Sequence, residues 1–345
     1  MHEQGDFVLY GAYGYTGELI ARLAAERGRR PLLAGRDAAR LEALATELGL
    51  PWQAFDLQDP ARISECLRDA PVVLHCAGPF THTAKPMVRA CLETGTHYLD
   101  ITGEADVFLS MAHRGPKAAE AGVMLLPGVG FDVVPSDCLA KRLAERLPEA
   151  QELVLAFRGD SGPSHGTALT MIEHIHQGGL VRRDGDLRRV PIAWKTRQVD
   201  FGDGPTMAVS IPWGDVVTAW YSTGIPDITV YMGVPRSGLR TLRFLRWLRP
   251  LLRFQTVKNV LRRQVEARPP GPSERRLAEG ETRLWGQVTT EDGRQVEDRL
   301  RGPQAYRWTA LTALTAVERV LAGRAPVGYQ TPSTAFGSGF VDEAV

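Results

Sequence analysis

Three glycines spaced by three residues follow directly on an apolar run, "VLYGAYGYTG", from Val8 to Gly17. No other stretch constrains the fold of this chain as strongly. The apolar residues read as a buried strand. The following "TGELIARLAAERG" places Leu19, Ile20, Leu23 and Ala24 on one helical face. A bare backbone has a separate reason at each glycine. Gly11 permits a tight turn, Gly14 puts no side chain in the way of a pyrophosphate, and Gly17 lets the helix approach the strand. Free N–H groups and the positive end of the helix dipole then face the phosphates.

The alternation continues through the first 135 residues. Short apolar runs at 7–12, 31–36, 52–57, 72–78, 97–101 and 123–129 read as buried parallel strands. Between them, "AARLEALATELG" repeats leucine at helical spacing, and "PARISECLRD" starts behind Asp59 as N-cap with Pro60 at the first helical position. Strand and helix in this order predict a doubly wound parallel sheet, the α/β Rossmann architecture.

After residue 135 the pattern changes. "ELVLAFRGD" (152–160) starts a new strand, and 161–175 reads as a loop followed by a helix capped near Ser164. Residues 205–234 give two or three strands broken by Pro-Trp-Gly and Gly-Ile-Pro. Residues 281–302 form a hairpin around Asp292-Gly293, and 306–323 a helix closed by Gly323. The expected organisation is a nucleotide domain over 1–135, to which 303–345 returns. A second α+β domain with a mixed sheet, for substrate and dimerisation, spans 136–302.

The end of the second strand decides the cofactor. A site for NAD places an acidic residue there for the ribose 2′-hydroxyl. This chain has "AGRD", with Arg36 first and Asp37 next. A guanidinium suits a 2′-phosphate through charge-assisted bonds, and Arg40 stands one helical turn on. The reading is NADP(H); the alternative is Asp37 on the ribose. Asp56 and Leu57 would flank the adenine, and Ala77, Gly78, Pro79 and Phe80 would run beside the nicotinamide ribose.

Composition narrows the classes. At 43% apolar and 23% charged residues, with a net charge of +1, the 345-residue chain is not built to hold nucleic acid. Cys66, Cys76, Cys91 and Cys138 form no metal-ligand spacing, so no metal is expected and reduced thiols in the cytoplasm are. The opening "MHEQGDFVLY" does not have the pattern of a signal peptide. The segment 236–264 interleaves arginines with leucines. It reads as an amphipathic surface helix kinked at Pro250, as a peripheral membrane contact, or as a surface for an acidic carrier protein.

In order along the chain, "GAYGYTG", "AGR", "CAGPF", "YLDITGE", "PGVGFDVVPSD", "SHGTA", "WGDVVTAWYSTGIPDITVYM" and "GYQTPSTAFG" resemble the saccharopine dehydrogenase-like family. In character the chain is nearest to the trans-acting enoyl reductases. The resemblance implies an NADP-binding Rossmann domain, a mixed-sheet second domain and a cleft where hydride moves. It carries the phosphate loop onto Gly11, Tyr13, Gly14, Tyr15, Thr16 and Gly17, and the 2′-phosphate site onto Arg36.

The proton must come from a group near the nicotinamide. Tyr98, Asp100 and Asp132 follow the fifth and sixth strands, and His165 opens a helix of the second domain. Each has a structural alternative: Asp100 to tie down its loop, Asp132 to cap the helix that begins at Val133. Glu104 also follows the fifth strand; it is a further candidate or a first-turn charge favoured by the helix dipole. The expected activity is NADP(H)-dependent reduction of an apolar C=C or C=N bond, in a small-molecule or carrier-bound substrate; a homodimer is left open. Two alternatives stand beside it: a non-catalytic dinucleotide-binding or lipid-surface protein, and a saccharopine-type amino-acid dehydrogenase. Saccharopine itself carries three carboxylates, and the strands and loops of the second domain supply few basic groups for them.

Overall fold

A computed structural model describes residues 5–159, 164–174, 177–235, 254–267, 269 and 271–345. The chain divides into two compact units, Met1–Val134 with Tyr306–Val345, and Pro135–Ala305.

The first unit is built on a parallel sheet. Its strands are β1 (Val8–Tyr10), β2 (Leu32–Gly35), β3 (Trp52–Ala54), β4 (Val72–His75), β5 (His97–Asp100), β6 (Met124–Leu126) and β15 (Gly328–Tyr329). The order is β15-β6-β5-β4-β1-β2-β3, every neighbouring pair parallel. Helices α1 (Tyr15–Glu26), α2 (Ala38–Leu48), α3 (Pro60–Leu67), α4 (Phe80–Thr94) and α5 (Ala105–Glu120) connect them. The six expected strands and the doubly wound fold class are those observed. The strand order reverses between β1 and β4, the place where such sheets bind ligands.

Local signals explain the helix starts. Asp59 accepts from Arg62 N at 3.1 Å ahead of Pro60, and Asp37 accepts from Arg40 N at 3.1 Å. The core on one face of the sheet gathers Tyr10, Phe55, Met87, Tyr98 and Leu125. Near the C-terminus, α11 (Ala305–Leu321) is tied to the segment after β6: Thr312 Oγ1 donates to Val129 O at 2.8 Å, and Phe131 N donates to Thr309 Oγ1 at 3.0 Å.

The second unit starts with α6 (Val134–Arg146) and holds a mixed sheet. Its strands are β7 (Glu152–Gly159), β8 (Gly179–Arg183), β9 (Asp186–Val190), β10 (Thr196–Asp200), β11 (Pro205–Ser210), β12 (Asp227–Gly233), β13 (Glu281–Thr289) and β14 (Gln295–Pro303). The main path is β10-β11-β12-β7-β13-β14; β12 and β7 are parallel and its other neighbours antiparallel. β8 pairs with β12 and β9. The β13–β14 hairpin turns at Gly293, whose φ is +90°. Helix α7 (His165–His174) begins behind Ser164, whose Oγ accepts from Thr167 N at 3.3 Å.

Several elements differ from the sequence reading: β8, β9 and β10 fill a stretch for which it named no element. The middle of 205–234 is a helix, α8 (Asp215–Thr223), closed by Gly224 in the left-handed region. Asp215 to Ala219 are all buried, so the apolar run has no one-sided alternation and packing overrides the β preference of its valines. Of the basic segment 236–264, residues 236–253 lie outside the described residues; α9 (Gln255–Glu266) covers its end. A short helix, α10 (Glu274–Glu279), follows the prolines of 269–272, in a stretch whose sequence, 266–276, reads as a Pro-rich loop. No helix among the described residues is long and apolar enough to cross a membrane.

Candidate cofactor and active site

Parallel strands end on one edge, so the first unit lines up its turns in the order β3, β2, β1, β4, β5, β6. Each expected cofactor residue of this unit stands on that edge.

The β1 turn distributes its glycines as the chemistry of a close approach requires. Gly11 has φ +84°, and a Cβ there would lie 2.8 Å from Ala77 N. A Cβ on Gly17 would lie 2.2 Å from Gly11 O, so only glycine lets α1 start this close to the strand. Gly14 differs. It is the N-cap of α1, no side chain caps the helix there, and an added Cβ would meet only Gly11 O, at 3.3 Å. Neither a left-handed φ nor a crowded protein interior demands a glycine at 14. What a bare Gly14 leaves open is the approach to the first amides of a 12-residue helix. This cradle fits a diphosphate. Thr16 is half-buried in the first turn of α1, and Tyr15 packs edge-on against Tyr306 at 5.2 Å, its hydroxyl pushed up to about 12 by burial.

At the β2 turn Arg36, Asp37 and Arg40 are exposed. The Asp37 carboxylate caps α2. Beside it, Tyr13 O accepts from the Arg40 guanidinium at 2.8 Å. At the β3 turn exposed Asp56 accepts from Gln58 N at 2.9 Å, and Leu57 is half-buried. At the β4 turn Ala77 and Pro79 are half-buried and Gly78 exposed, with a cis Gly78–Pro79 peptide.

Phe80 opens α4, and the sequence before it offers no N-cap side chain. Glu104, after β5, supplies one from 24 residues away: Oε1 accepts from Phe80 N at 2.7 Å, and Oε2 from Thr81 N at 2.9 Å and from the Thr81 hydroxyl. A buried carboxylate at a helix N-terminus is favoured by both the hydrogen bonds and the dipole. The sequence offers Glu104 as a proton-handling candidate or as a first-turn charge of its own helix; the cap it forms on α4 is neither. The missing local cap at Pro79 was the available signal.

Tyr98 and Asp100 are fully buried. The Tyr98 hydroxyl donates to Asp100 Oδ2 at 2.7 Å, and Asp100 Oδ1 accepts from Thr102 N at 3.0 Å and Gly128 N at 2.9 Å. These bonds fasten the ends of β5 and β6 to each other. Burial pushes the Asp100 carboxyl up to about 7, against the hydrogen bonds that favour its charge. A carboxyl whose pKa is raised by folding contributes stability below its unfolded value, and that stability is lost as pH rises through 7. Asp100→Asn keeps an oxygen for both amides. It is therefore expected to flatten the decline in Tm between pH 5 and pH 8, read by thermal melts.

His75, at the end of β4, is a buried polar residue that the sequence did not single out. It is fully buried, its Nε2 lies 3.0 Å from Thr83 Oγ1, and burial lowers its pKa to about 3, so the ring is neutral. Asp132 follows β6, half-buried, with its carboxyl also pushed up to about 7 by burial. The adjoining helix starts at Val134, where Val133 N and Val134 N both donate to Gly130 O. In the second unit His165 is half-buried at the first position of α7. Among the described residues no group of His, Cys, Asp and Glu could hold a metal ion, and the four cysteines form no disulfide.

Residues 7–126 match the family model described as the saccharopine dehydrogenase NADP binding domain. A trans-acting enoyl reductase from Mycobacterium tuberculosis is 36% identical over 219 residues, covering 59% of this chain and 51% of that protein. A saccharopine dehydrogenase-like oxidoreductase from Mus musculus is 35% identical over 151 residues, covering 38% of this chain and 35% of that protein. The chain thus spans about half, or less, of the length of these curated relatives. Saccharopine dehydrogenase (L-Glu forming) from Saccharomyces cerevisiae has a similar fold, with a TM-score of 0.66 at 13% identity over 99% of this chain and 96% of that one. The glycine turn and parallel sheet thus lie in a stretch, residues 7–126, that is an NADP-binding domain of the saccharopine dehydrogenase type, and the chain as a whole has the fold of saccharopine dehydrogenase.

Proposed function

We propose that the protein is an NADPH-dependent reductase of an apolar C=C or C=N bond, preferring NADPH to NADH. One observation carries the cofactor preference. The carboxylate at the end of β2, Asp37, caps α2, while the Arg36 and Arg40 guanidinia are exposed beside it. In this reading the amides at the start of α1 take the diphosphate, Arg36 the 2′-phosphate, Asp56 and Leu57 flank the adenine, and the turn from Ala77 to Phe80 lies along the nicotinamide ribose.

When bound, NADPH supplies the hydride. The chain's own residues orient and manage the proton. Glu104 fixes the start of α4 and with it the turn that includes the cis Gly78–Pro79 peptide. Tyr98 and Asp100 hold the ends of β5 and β6 together. Asp132 is the acid: it is half-buried, and near neutral pH it still carries a proton for the second atom of the reduced double bond. The name of the mycobacterial relative, a trans-acting enoyl reductase, supports an enoyl substrate. Contact with an acidic carrier protein or anionic lipid through 236–264 belongs to the same proposal, on the strength of the charge pattern alone.

Arg36→Ala is the test. Fluorescence titration should show NADPH affinity falling about 10- to 100-fold, as befits losing a charge-assisted hydrogen-bonding group. NADH affinity should not change. Equal losses for both dinucleotides, or none, would remove Arg36 from the 2′-phosphate site.

A further inference from the structure

Tyr13 stands between Gly11 and Gly14, yet its side chain reaches the β2 turn. A Cβ on Gly35 would lie 2.5 Å from Tyr13 Cε1, so the ring rests on that glycine. The hydroxyl accepts from Arg36 N at 3.2 Å and from Asp37 N at 3.3 Å. The Arg40 guanidinium lies 4.7 Å over the ring and also donates to Tyr13 O. Two consecutive amides and one guanidinium are thus gathered around a single phenol.

Those are donors that an anion would take. The phenol oxygen is a neutral acceptor, and both of its bonds lie at or beyond the long end of the N–H···O range. A phosphate oxygen makes shorter bonds to the same donors, roughly twice as strong. Tyr13 is only half-buried and the three residues around it are exposed, so its side chain has room to leave. Gly35, bare and under the ring, lets the phenol come this close to the turn in the first place.

We infer that Tyr13 is a specificity-determining residue: its phenol competes with a ribose 2′-phosphate for the Arg36 and Asp37 amides, and it stores Arg40 beside them. The inference rests on the assignment of Arg36 to the 2′-phosphate. A 2′-phosphate takes the two amides and draws the guanidinium off the ring. A ribose 2′-hydroxyl is neutral and does not displace the phenol. Tyr13 therefore weakens phosphorylated ligands selectively. It narrows a preference that the arginines alone would make larger.

Calorimetry with 2′,5′-ADP and 5′-ADP tests this on the wild type and on Tyr13→Phe. Phenylalanine keeps the ring on Gly35 and under Arg40 but accepts no hydrogen bond. The variant is expected to bind 2′,5′-ADP about three- to tenfold more tightly, the scale of two weak neutral hydrogen bonds. Its affinity for 5′-ADP should equal that of the wild type. Tyr13→Leu, which also removes the cation–π contact, should move 2′,5′-ADP in the same direction. Weaker binding of 2′,5′-ADP to both variants would make the hydroxyl a ligand of the phosphate, and unchanged binding would make it a bystander; either overturns the inference. If the wild type binds the two probes equally, the Arg36 assignment fails and takes the Tyr13 inference with it. A wild type that discriminates while the variants do not tighten isolates failure of the inference alone.

Discussion

Asp132→Asn is expected to lower kcat by about 10²- to 10⁴-fold, the scale of a lost general acid, while leaving dinucleotide affinity unchanged. Asparagine fills the same space beside Gly103, where an added Cβ would lie 2.8 Å from Asp132 Oδ2, but it has no proton of suitable acidity. The pH profile gives a second reading. Burial holds the carboxyl at about 7, and the protonated form is the donor. Wild-type kcat for a short apolar enoyl thioester should therefore fall as pH rises through 7. The variant's residual rate should not follow that limb. Stability also declines in this window through Asp100, so Tm must be recorded at each pH to separate the two effects. A variant with wild-type kcat would leave Asp132 a structural residue and return the proton to water.

The glycines of the first turn should divide into two phenotypes. Gly17→Ala forces a Cβ to within 2.2 Å of a backbone oxygen, and α1 must move off the strand. Overpacking of this kind costs about 1–3 kcal/mol or more, so Tm should drop by several degrees and dinucleotide binding with it. Gly14→Ala meets nothing closer than 3.3 Å. Alanine at this N-cap should lower Tm much less than Gly17→Ala does while weakening NADPH by about tenfold or more, since the methyl stands where the backbone meets a diphosphate. Melting curves and calorimetry on the two variants separate fold from site. Wild-type NADPH affinity in Gly14→Ala would mean that the Gly14 turn is not a binding surface.

The first unit was readable because its signals are local. Strand runs flanked by amphipathic repeats fix the parallel sheet, and Asp59 ahead of Pro60 announces α3 within four residues. Long-range polar contacts were not readable. Glu104 caps a helix 24 residues before it, and only the absence of a cap at Pro79 hints at the need. Tyr13 reaches Arg36 from the neighbouring turn, and spacing alone does not place a phenol on two amides. In the second unit the error at α8 has a plain cause. Val216 and Val217 favour strands, Asp215 to Ala219 are buried throughout, and no one-sided polarity betrays the helical period. The β8–β9 hairpin carries charged residues on both arms, from Arg182 and Arg183 to Arg188 and Arg189, which disguised it.

The nucleotide-binding unit is interrupted in sequence between Val134 and Tyr306, and this has a consequence for biosynthesis. On the ribosome, β6 emerges about two hundred residues before its neighbour β15, a delay on the order of ten seconds or more at ordinary elongation rates. Throughout that interval the nascent sheet presents an uncapped edge strand, and the Val129 carbonyl and Phe131 amide await the threonines of α11. Nascent chains stalled before Tyr306 should therefore be the species most dependent on chaperones and most prone to aggregate, and emergence of residues 306–345 should be the event that frees them.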